Sequence, residues 1–354
     1  MDSNIKYDHL MIYYFSGTGN AKNTAIWIEN IAQKNGLNTQ LINLDHQNTF
    51  IPPEKKGKTL IGICAPTHGF NLPPIVLKAI WNFPRVKNTD IFIINTRGGL
   101  KLSKYFLPGL SGMAQIFPAL VLKFKGFRLV GMQPIDLPSN WIFLHPGLKP
   151  QVIDSIYHRC QPIINVFALS ILQGKRKYKA LWSLPFDLLL IPIAILYYFI
   201  GRFFLAKTLI ATDDCHSCGK CVKNCPVQAI TMSHQLPYWS YECESCMRCV
   251  NICPERAIET THGYSIIFFT MAFAVVSPLL SYFINTLGLI NWINSSVLTE
   301  NLWALISMFI YLVIAIIAYK ILHYSMKSHL INRIIRLTSL SSNHFWRRYH
   351  PPKF

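Results

Sequence analysis

The stretch Tyr14-Phe-Ser-Gly-Thr-Gly-Asn-Ala-Lys-Asn-Thr-Ala25 closes a short apolar run and opens a helical pattern. Residues 9–15 (His-Leu-Met-Ile-Tyr-Tyr-Phe) read as a buried strand and 20–34 as a helix, so the glycine turn sits at a strand-to-helix junction. It is not a Walker A loop, because no Gly-Lys-Ser/Thr follows at the required spacing. Nor is it a dinucleotide fingerprint, since Lys22 stands where the third glycine belongs. What remains is a hydroxyl-rich turn at a helix N-terminus. Its backbone N–H groups, the helix dipole and the Ser16 and Thr18 hydroxyls suit a monophosphate. A plain strand-to-helix turn is the competing reading.

Working outward, β-like runs recur at 40–44, 59–65, 90–95 and 127–135, with helical patterns at 74–83 and 150–172 between or after them. This alternation predicts an α/β domain, a mostly parallel sheet covered on both faces. The apolar run 105–122 is interrupted by Pro108, Gly109, Gly112 and Pro118 and reads as a buried or membrane-facing helix of that domain. Ligands of such sheets sit beyond the carboxyl ends of the strands, at the switch in strand order. Two further loops fall at that edge, Pro66-Thr-His-Gly-Phe-Asn-Leu-Pro-Pro74 and Thr96-Arg-Gly-Gly-Leu100. His68 and Phe70 suit the flanks of a planar ring, while Gly98 and Gly99 let backbone amides approach it. The candidate cofactor-binding residues are Ser16, Gly17, Thr18, Gly19, Asn20, Thr67, His68, Gly69, Phe70, Asn71, Thr96, Gly98 and Gly99.

Eight of the ten cysteines lie between Cys215 and Cys253. They form two complete C-x₂-C-x₂-C-x₃-C-P runs, Cys215/Cys218/Cys221/Cys225-Pro226 and Cys243/Cys246/Cys249/Cys253-Pro254. This is the bacterial spacing for cubane [4Fe–4S] clusters, in which three thiolates wrap one cube and the fourth reaches the other. One cluster then takes Cys215, Cys218, Cys221 and Cys253; the other takes Cys243, Cys246, Cys249 and Cys225. Zinc held by C-x₂-C pairs leaves the third cysteine and the C-P unit of each run without a purpose. Clustered cysteines fit metal ligation in a reducing compartment better than disulfides. Cys64 and Cys160 stand alone and read as packed small residues.

With these runs in hand, the chain resembles a family, flavodoxin-like FMN domains fused to a bacterial two-cluster ferredoxin. The resemblance rests on YFSGTGN (14–20), APTHGFNLPP (65–74), NTRGG (95–99), LPSNW (137–141) and both cysteine runs, and covers residues 8–262. It implies a 2-1-3-4-5 sheet, the FMN phosphate on the first loop and the isoalloxazine against the second and third. The chain departs at Ala21, where such loops place a threonine that donates to the phosphate.

The remainder is membrane-like. Mean hydropathy is +0.27 with 14% charged residues. Residues 264–288 and 302–319 are long enough to cross a bilayer. Residues 188–201, broken by Pro192, suit an interfacial or re-entrant segment. The link 289–301 lacks Lys and Arg, whereas the tail from Lys320 carries seven and no acid. By the positive-inside rule the tail, and with it both folded domains, lies on the cytoplasmic side of the inner membrane. The short first apolar run is not a signal peptide. The net charge of +18 is concentrated beside apolar segments, which favours a membrane surface over nucleic acid.

The expected organisation is a flavodoxin-like domain (1–173), a basic and hydrophobic interfacial linker (174–207), a two-cluster ferredoxin domain (208–262), a transmembrane hairpin (263–319) and a basic tail (320–354). The hairpin carries no His, Lys or Arg, which leaves no haem ligand or ion path and makes it an anchor. The expected function is membrane-anchored electron transfer between two [4Fe–4S] clusters and an FMN, with a redox protein or small electron carrier as partner. Oxidoreductase chemistry is open, since no general acid or base stands out, no nicotinamide fingerprint is present and a quinone acceptor has no residue signature. The alternative is a non-catalytic redox-sensing or assembly subunit whose flavodoxin-like domain is empty, as Ala21 suggests.

Overall fold

The computed structural model describes residues 5–45, 57–102, 104–205, 208–263, 266, 270, 274–275, 277–288, 297–343 and 345–352. The first domain holds strands β1 (His9–Tyr14), β2 (Asn38–Asn43), β3 (Thr59–Pro66), β4 (Thr89–Leu102), β5 (Tyr105–Leu107), β6 (Phe127–Pro138) and β7 (Lys177–Tyr178). They are ordered β2-β1-β3-β4-β6-β7, parallel throughout except for β5, which pairs antiparallel with β4. With β5 and the two-residue β7 set aside, this is the doubly wound 2-1-3-4-5 order of flavodoxin-like folds.

The period-2 pattern of the strands decides which helix covers which face. Leu10, Ile12, Leu60, Phe92 and Ile94 pack under α1 (Asn20–Lys34) and α4 (Pro150–Leu172). Met11, Tyr13, Ile61, Ile63, Ile91 and Ile93 pack under α2 (Pro74–Asn82) and α3 (Met113–Phe124). The order reverses between β1 and β3, so the crevice opens where the first two loops leave the sheet.

Two expectations change. Residues 105–122 are not one helix, since β5 folds back on β4 and α3 begins only after Gly112, whose φ of +55° breaks the helical path. Thr96, Gly98 and Gly99 are strand rather than loop, because β6 runs long enough to pair with β4 as far as Gly99↔Pro138.

One buried charge cluster anchors β4. Asp90 accepts from Lys6 Nζ and Tyr7 Oη, each at 2.7 Å, and from Arg128 Nε. Burial opposes ionisation of Asp90, but these donors outweigh it and hold the carboxyl at about 2, below its ordinary 3.8. A depressed carboxyl pKa stabilises the fold above the unfolded value and loses that contribution as pH falls toward the folded one, here worth about 2–3 kcal/mol. Asp90→Asn is therefore expected to lower the unfolding free energy by roughly that amount at neutral pH, with the deficit shrinking between pH 4 and pH 2. A deficit that stays flat across that window in parallel denaturant titrations contradicts this account.

The second domain repeats itself. Strand β8 (Leu209–Ala211) pairs with β11 (Ile258–Thr260), and β9 (Ile230–Ser233) with β10 (Leu236–Trp239), all antiparallel. Between them, α8 (Lys220–Lys223) and α9 (Arg248–Ile252) follow corresponding points of the two cysteine runs. The linker forms α5 (Leu184–Leu189) and α6 (Ile191–Leu196), then a π turn over Tyr197–Gly201 and α7 (Arg202–Leu205). The stretches on either side of Leu190 bend by 76°, and Pro192, which has no N–H to donate, sits in the first turn of α6. Asp187 ties this bend to the first domain by accepting from Gly112 N (2.7 Å), Ser111 N (3.2 Å) and Ser183 Oγ (2.7 Å).

The first half of the expected segment 264–288 lies mostly outside the described residues, as does most of the link 289–301; α10 (Ser277–Thr286) falls in the described second half of that segment. The expected span 302–319 falls within α11 (Val297–Ser325). An 18-residue stretch within residues 301–325 reaches a mean hydropathy of 2.4 with 6% of it buried, and among the described residues this is one helix long and apolar enough to cross a membrane. Its far end docks on the second domain. The Nε2–H of buried His323 donates to the Trp239 carbonyl and Nδ1 accepts from the Tyr238 hydroxyl, both at 3.0 Å. α12 (His329–Arg336) follows, and the tail then folds back over both domains.

Candidate functional site

The first loop leaves β1 at Tyr14 and enters α1 through Gly19, whose φ of +104° suits only glycine. No side chain caps this helix and no acidic residue lies in its first turn. The helix's first backbone bond runs from Asn23 N–H to Gly19 O at 2.9 Å, so the N–H groups of the preceding turn have no helical partner. Ser16 Oγ accepts from Gly19 N–H at 3.0 Å, and Thr18 Oγ1 accepts from Asn140 Nδ2. Each hydroxyl thus keeps its own proton to donate. An uncapped, partly buried helix start with two such hydroxyls fits an anionic phosphate.

That loop forms one wall of a cavity of about 390 Å³, within the usual range for small-molecule sites. Of the residues expected from sequence, Ser16, Gly17, Thr18, Asn20, Thr67, His68, Gly69, Phe70, Thr96 and Gly98 line it. Gly19, Asn71 and Gly99 do not. Asn71 instead closes the second loop, exchanging backbone bonds with His68 (2.7 and 3.1 Å) and accepting Leu72 N–H on Oδ1 (2.8 Å). Gly99 lies against the Asp136 backbone within the β4–β6 pairing. Burial pushes the His68 imidazole down to about 4, against a bond to the Glu244 backbone, so at neutral pH it is an uncharged ring.

Ala21, the departure noted in the first loop, also lines the cavity, and sequence reasoning did not place Tyr197, Ser245, Cys246 and Met247 in its wall. The Tyr197 ring packs directly on Gly69, carried there by the π turn of the linker. Gly17 meets the second domain backbone to backbone, since a Cβ there would lie 2.0 Å from the Cys246 carbonyl oxygen. Only a glycine permits that approach. Arg248, on α9, fastens the contact. Its guanidinium donates to both Asp45 carboxylate oxygens (2.5 and 3.0 Å) and to the Ser16 carbonyl (2.7 Å). Beside it, burial pushes the Glu244 carboxyl up to about 8, opposed by the Ile75 N–H it accepts at 2.7 Å.

The cysteines fall into two groups. Burial drives the Cys249 thiol well above its ordinary value, and neighbouring Cys243, Cys246 and Cys225 add to the rise. Cys246 is pushed up to about 12 by burial, with Cys243 and Cys225 contributing. In the other group, burial raises Cys221 to about 11, with Cys215 and Cys218 beside it. Cys253 ends α9 and packs, with Cys221 and Cys243, against the core of this domain. Buried thiols that raise one another ionise only when a cation neutralises them, which is the chemistry of an iron site.

The backbone between them repeats as the sequence does. Ser217 and Ser245, Gly219 and Met247, and Gln228 and Arg256 are all left-handed at corresponding positions of the two runs. Such alternation turns successive N–H groups inward, as in the anion-binding nests of many iron–sulfur sites. Among the described residues no His, Cys, Asp or Glu group converges tightly enough for a single metal ion, whereas a cube holds its thiolates apart on its corners.

Residues 214–258 match the family model of a 4Fe-4S dicluster domain. The chain carries an iron–sulfur domain. No curated protein matches it. Among solved structures, a flavodoxin from the domain Archaea is similar at 13% identity, covering 47% of this chain and 99% of its own, with a TM-score of 0.28. Flavodoxin 1 from Bacillus cereus gives 15% identity, 45% and 97% coverage and 0.28. An azoreductase from Bacillus anthracis str. Sterne gives 10%, 46% and 99%, and 0.32. The flavodoxin-like fold of the first domain rests on its sheet order. The chain is thus a flavodoxin-like domain joined to a ferredoxin domain, an arrangement suited to electron transfer.

Proposed function

We propose that this is a membrane-anchored electron-transfer protein in which two [4Fe–4S] clusters exchange electrons with an FMN. The observation that carries the reading is the contact of Gly17 with Cys246, which makes a cluster ligand part of the flavin cavity's wall. Cys243, Cys246, Cys249 and Cys225 hold the inner cluster; Cys215, Cys218, Cys221 and Cys253 hold the outer one, where exposed Cys218 offers a redox protein or small carrier its approach. The uncapped start of α1 takes the FMN phosphate, and the second loop, Tyr197 and the β4 extension flank the ring. A bound flavin interconverts one- and two-electron transfer. The protein's own part is to place cluster and flavin side by side, to keep His68 neutral against the ring and to exclude water between the loops.

Anchoring follows from α11. Its docked end lies by the basic tail and the second domain, so the positive-inside rule puts both domains on the cytoplasmic face of the inner membrane. Trp182, Phe186 and Leu189 of the bent linker are strongly exposed, as an interfacial segment requires. Ala21, buried at the cavity wall, favours the second reading, an empty flavodoxin-like domain that serves docking in a sensing or assembly subunit.

Protein purified without oxygen is expected to carry about eight irons per chain and one releasable FMN, both titrating in absorbance and EPR. Iron without flavin selects the second reading. Absence of iron overturns both.

A further inference from the structure

The tail is basic and follows the apolar helix α11, yet Trp346, Arg348 and Tyr349 near its end are buried. Tyr349 is fully buried between α1 and α4. Its hydroxyl donates to Asn20 Oδ1, which also accepts from Tyr157 Oη at 2.8 Å, while Asn20 Nδ2 donates to the Pro138 carbonyl at 2.9 Å. The first residue of α1 is thus held by the end of β6, by α4 and by the tail. Asn23 Nδ2 donates to the Pro352 carbonyl at 3.2 Å. The Pro351 ring closes over Gly19 so tightly that a Cβ there would lie 2.6 Å from its Cγ.

The tail is pinned before it reaches the loop. Trp346 Nε1 donates to the Ile142 carbonyl at 2.7 Å, and Gly147 N–H to the Arg347 carbonyl at 3.0 Å. Buried Arg348 pairs with Glu259 on β11 at 2.5 Å. The described chain therefore runs from α11 through α12, across the ferredoxin domain, and reaches the back of the phosphate loop at Pro351 and Pro352. The cavity faces the other side of that loop, since neither Gly19 nor Pro351 lines it.

We propose that this C-terminal segment, 346–352, is a strap that holds the first loop in its phosphate-binding shape, with Tyr349 a positioning residue acting through Asn20. The inference rests on the FMN reading above. The N–H groups that face the phosphate belong to the turn that Asn20 begins, and their direction is set by how that residue is gripped. Removing one of the two donors to the Asn20 side-chain carbonyl loosens that grip while the Tyr157 and Pro138 bonds remain. Retention is reciprocal: if the strap favours the flavin, the flavin must favour the closed strap by the same factor.

Tyr349→Phe keeps the ring and removes the hydrogen bond, and is expected to raise the FMN dissociation constant about fivefold. Ending the full-length membrane protein after Arg348, which retains the Glu259 pair, is expected to raise it further. The cluster EPR signal, recorded on the same samples, is expected to stay unchanged. In the unaltered protein, FMN added to flavin-stripped samples is expected to slow tryptic cleavage after Arg347 and Arg348. That arm needs no variant, so a folding defect cannot blunt it. Equal FMN affinity in the three proteins together with cleavage indifferent to FMN overturns the strap while leaving the flavin site standing. Unaltered protein with intact clusters and no affinity for FMN overturns the flavin reading and the strap with it.

Discussion

Cys225→Ser is expected to remove the same iron–sulfur cluster as Cys249→Ser, although Cys225 belongs to the first cysteine run. In the fold Cys225 is buried beside Cys249, Cys243 and Cys246, while Cys221 keeps company with Cys215 and Cys218. The crossing is built locally. Cys225 N–H bonds to the Val222 carbonyl (3.2 Å) as α8 ends, Pro226 prevents the helix from continuing, and Ala229 N–H donates to Cys225 Sγ (3.2 Å). A donor on the sulfur favours its thiolate, the form that binds iron. Each variant is expected to retain about half of roughly eight irons. The residual EPR spectra of Cys225→Ser and Cys249→Ser should coincide, and that of Cys221→Ser should differ from both. Coincidence of Cys225→Ser with Cys221→Ser instead would mean that each run serves its own cluster, and the crossed assignment would be wrong.

The second large effect is at Arg248. Its guanidinium is a two-pronged partner for Asp45, at 17% and 15% side-chain exposure, and also satisfies the Ser16 carbonyl at the mouth of the phosphate loop. Truncation leaves a largely buried carboxylate and a backbone oxygen without their donor. Arg248→Ala is therefore expected to cost about 3–5 kcal/mol of stability. Arg248→Lys should recover little of this, because an ammonium cannot reproduce the planar fork. The measurement is anaerobic urea unfolding of the three proteins, with FMN affinity alongside. The loss in affinity should follow the loss in stability, since the same side chain shapes the first loop and carries the cluster-bearing helix. A change under 1 kcal/mol would show the pair to be no stronger than a surface ion pair, and the Gly17–Cys246 approach to be held by packing alone.

Much of the architecture was legible because its causes are local. Residues 9–15 were readable as a buried strand because their apolar run is local, while which of Leu10, Met11, Ile12 and Tyr13 faces which helix pair came from the packing. The cysteine runs were equally plain, because ligand spacing is a property of a dozen consecutive residues. The failures have causes too. Residues 96–99 have the glycine content of a loop but are strand, because their state depends on pairing with the long β6, nearly forty residues away in the chain. Residues 105–122, though interrupted by Pro108, Gly109, Gly112 and Pro118, read as a buried or membrane-facing helix, yet β5 pairs with β4 and Gly112 starts α3 afresh. Tyr197 gave no signal, since it belongs to a linker whose bend delivers it to the second loop.

The chain's local order is enough to show an α/β unit with a hydroxyl-rich turn followed by a cysteine-repeat unit, because a turn, a helix start and a thiolate spacing are set by neighbours in the chain. That the turn and the second cysteine run meet at one cavity wall is visible only in the packed structure. Gly17 meets Cys246, Arg248 reaches back 231 residues to the Gly17 carbonyl, and Tyr349 grips Asn20 across 329. Contacts at such separations leave no period or motif in the sequence. They exist because helices and strands must bury their apolar faces, and the packing that does so brings distant backbones within a hydrogen bond of each other.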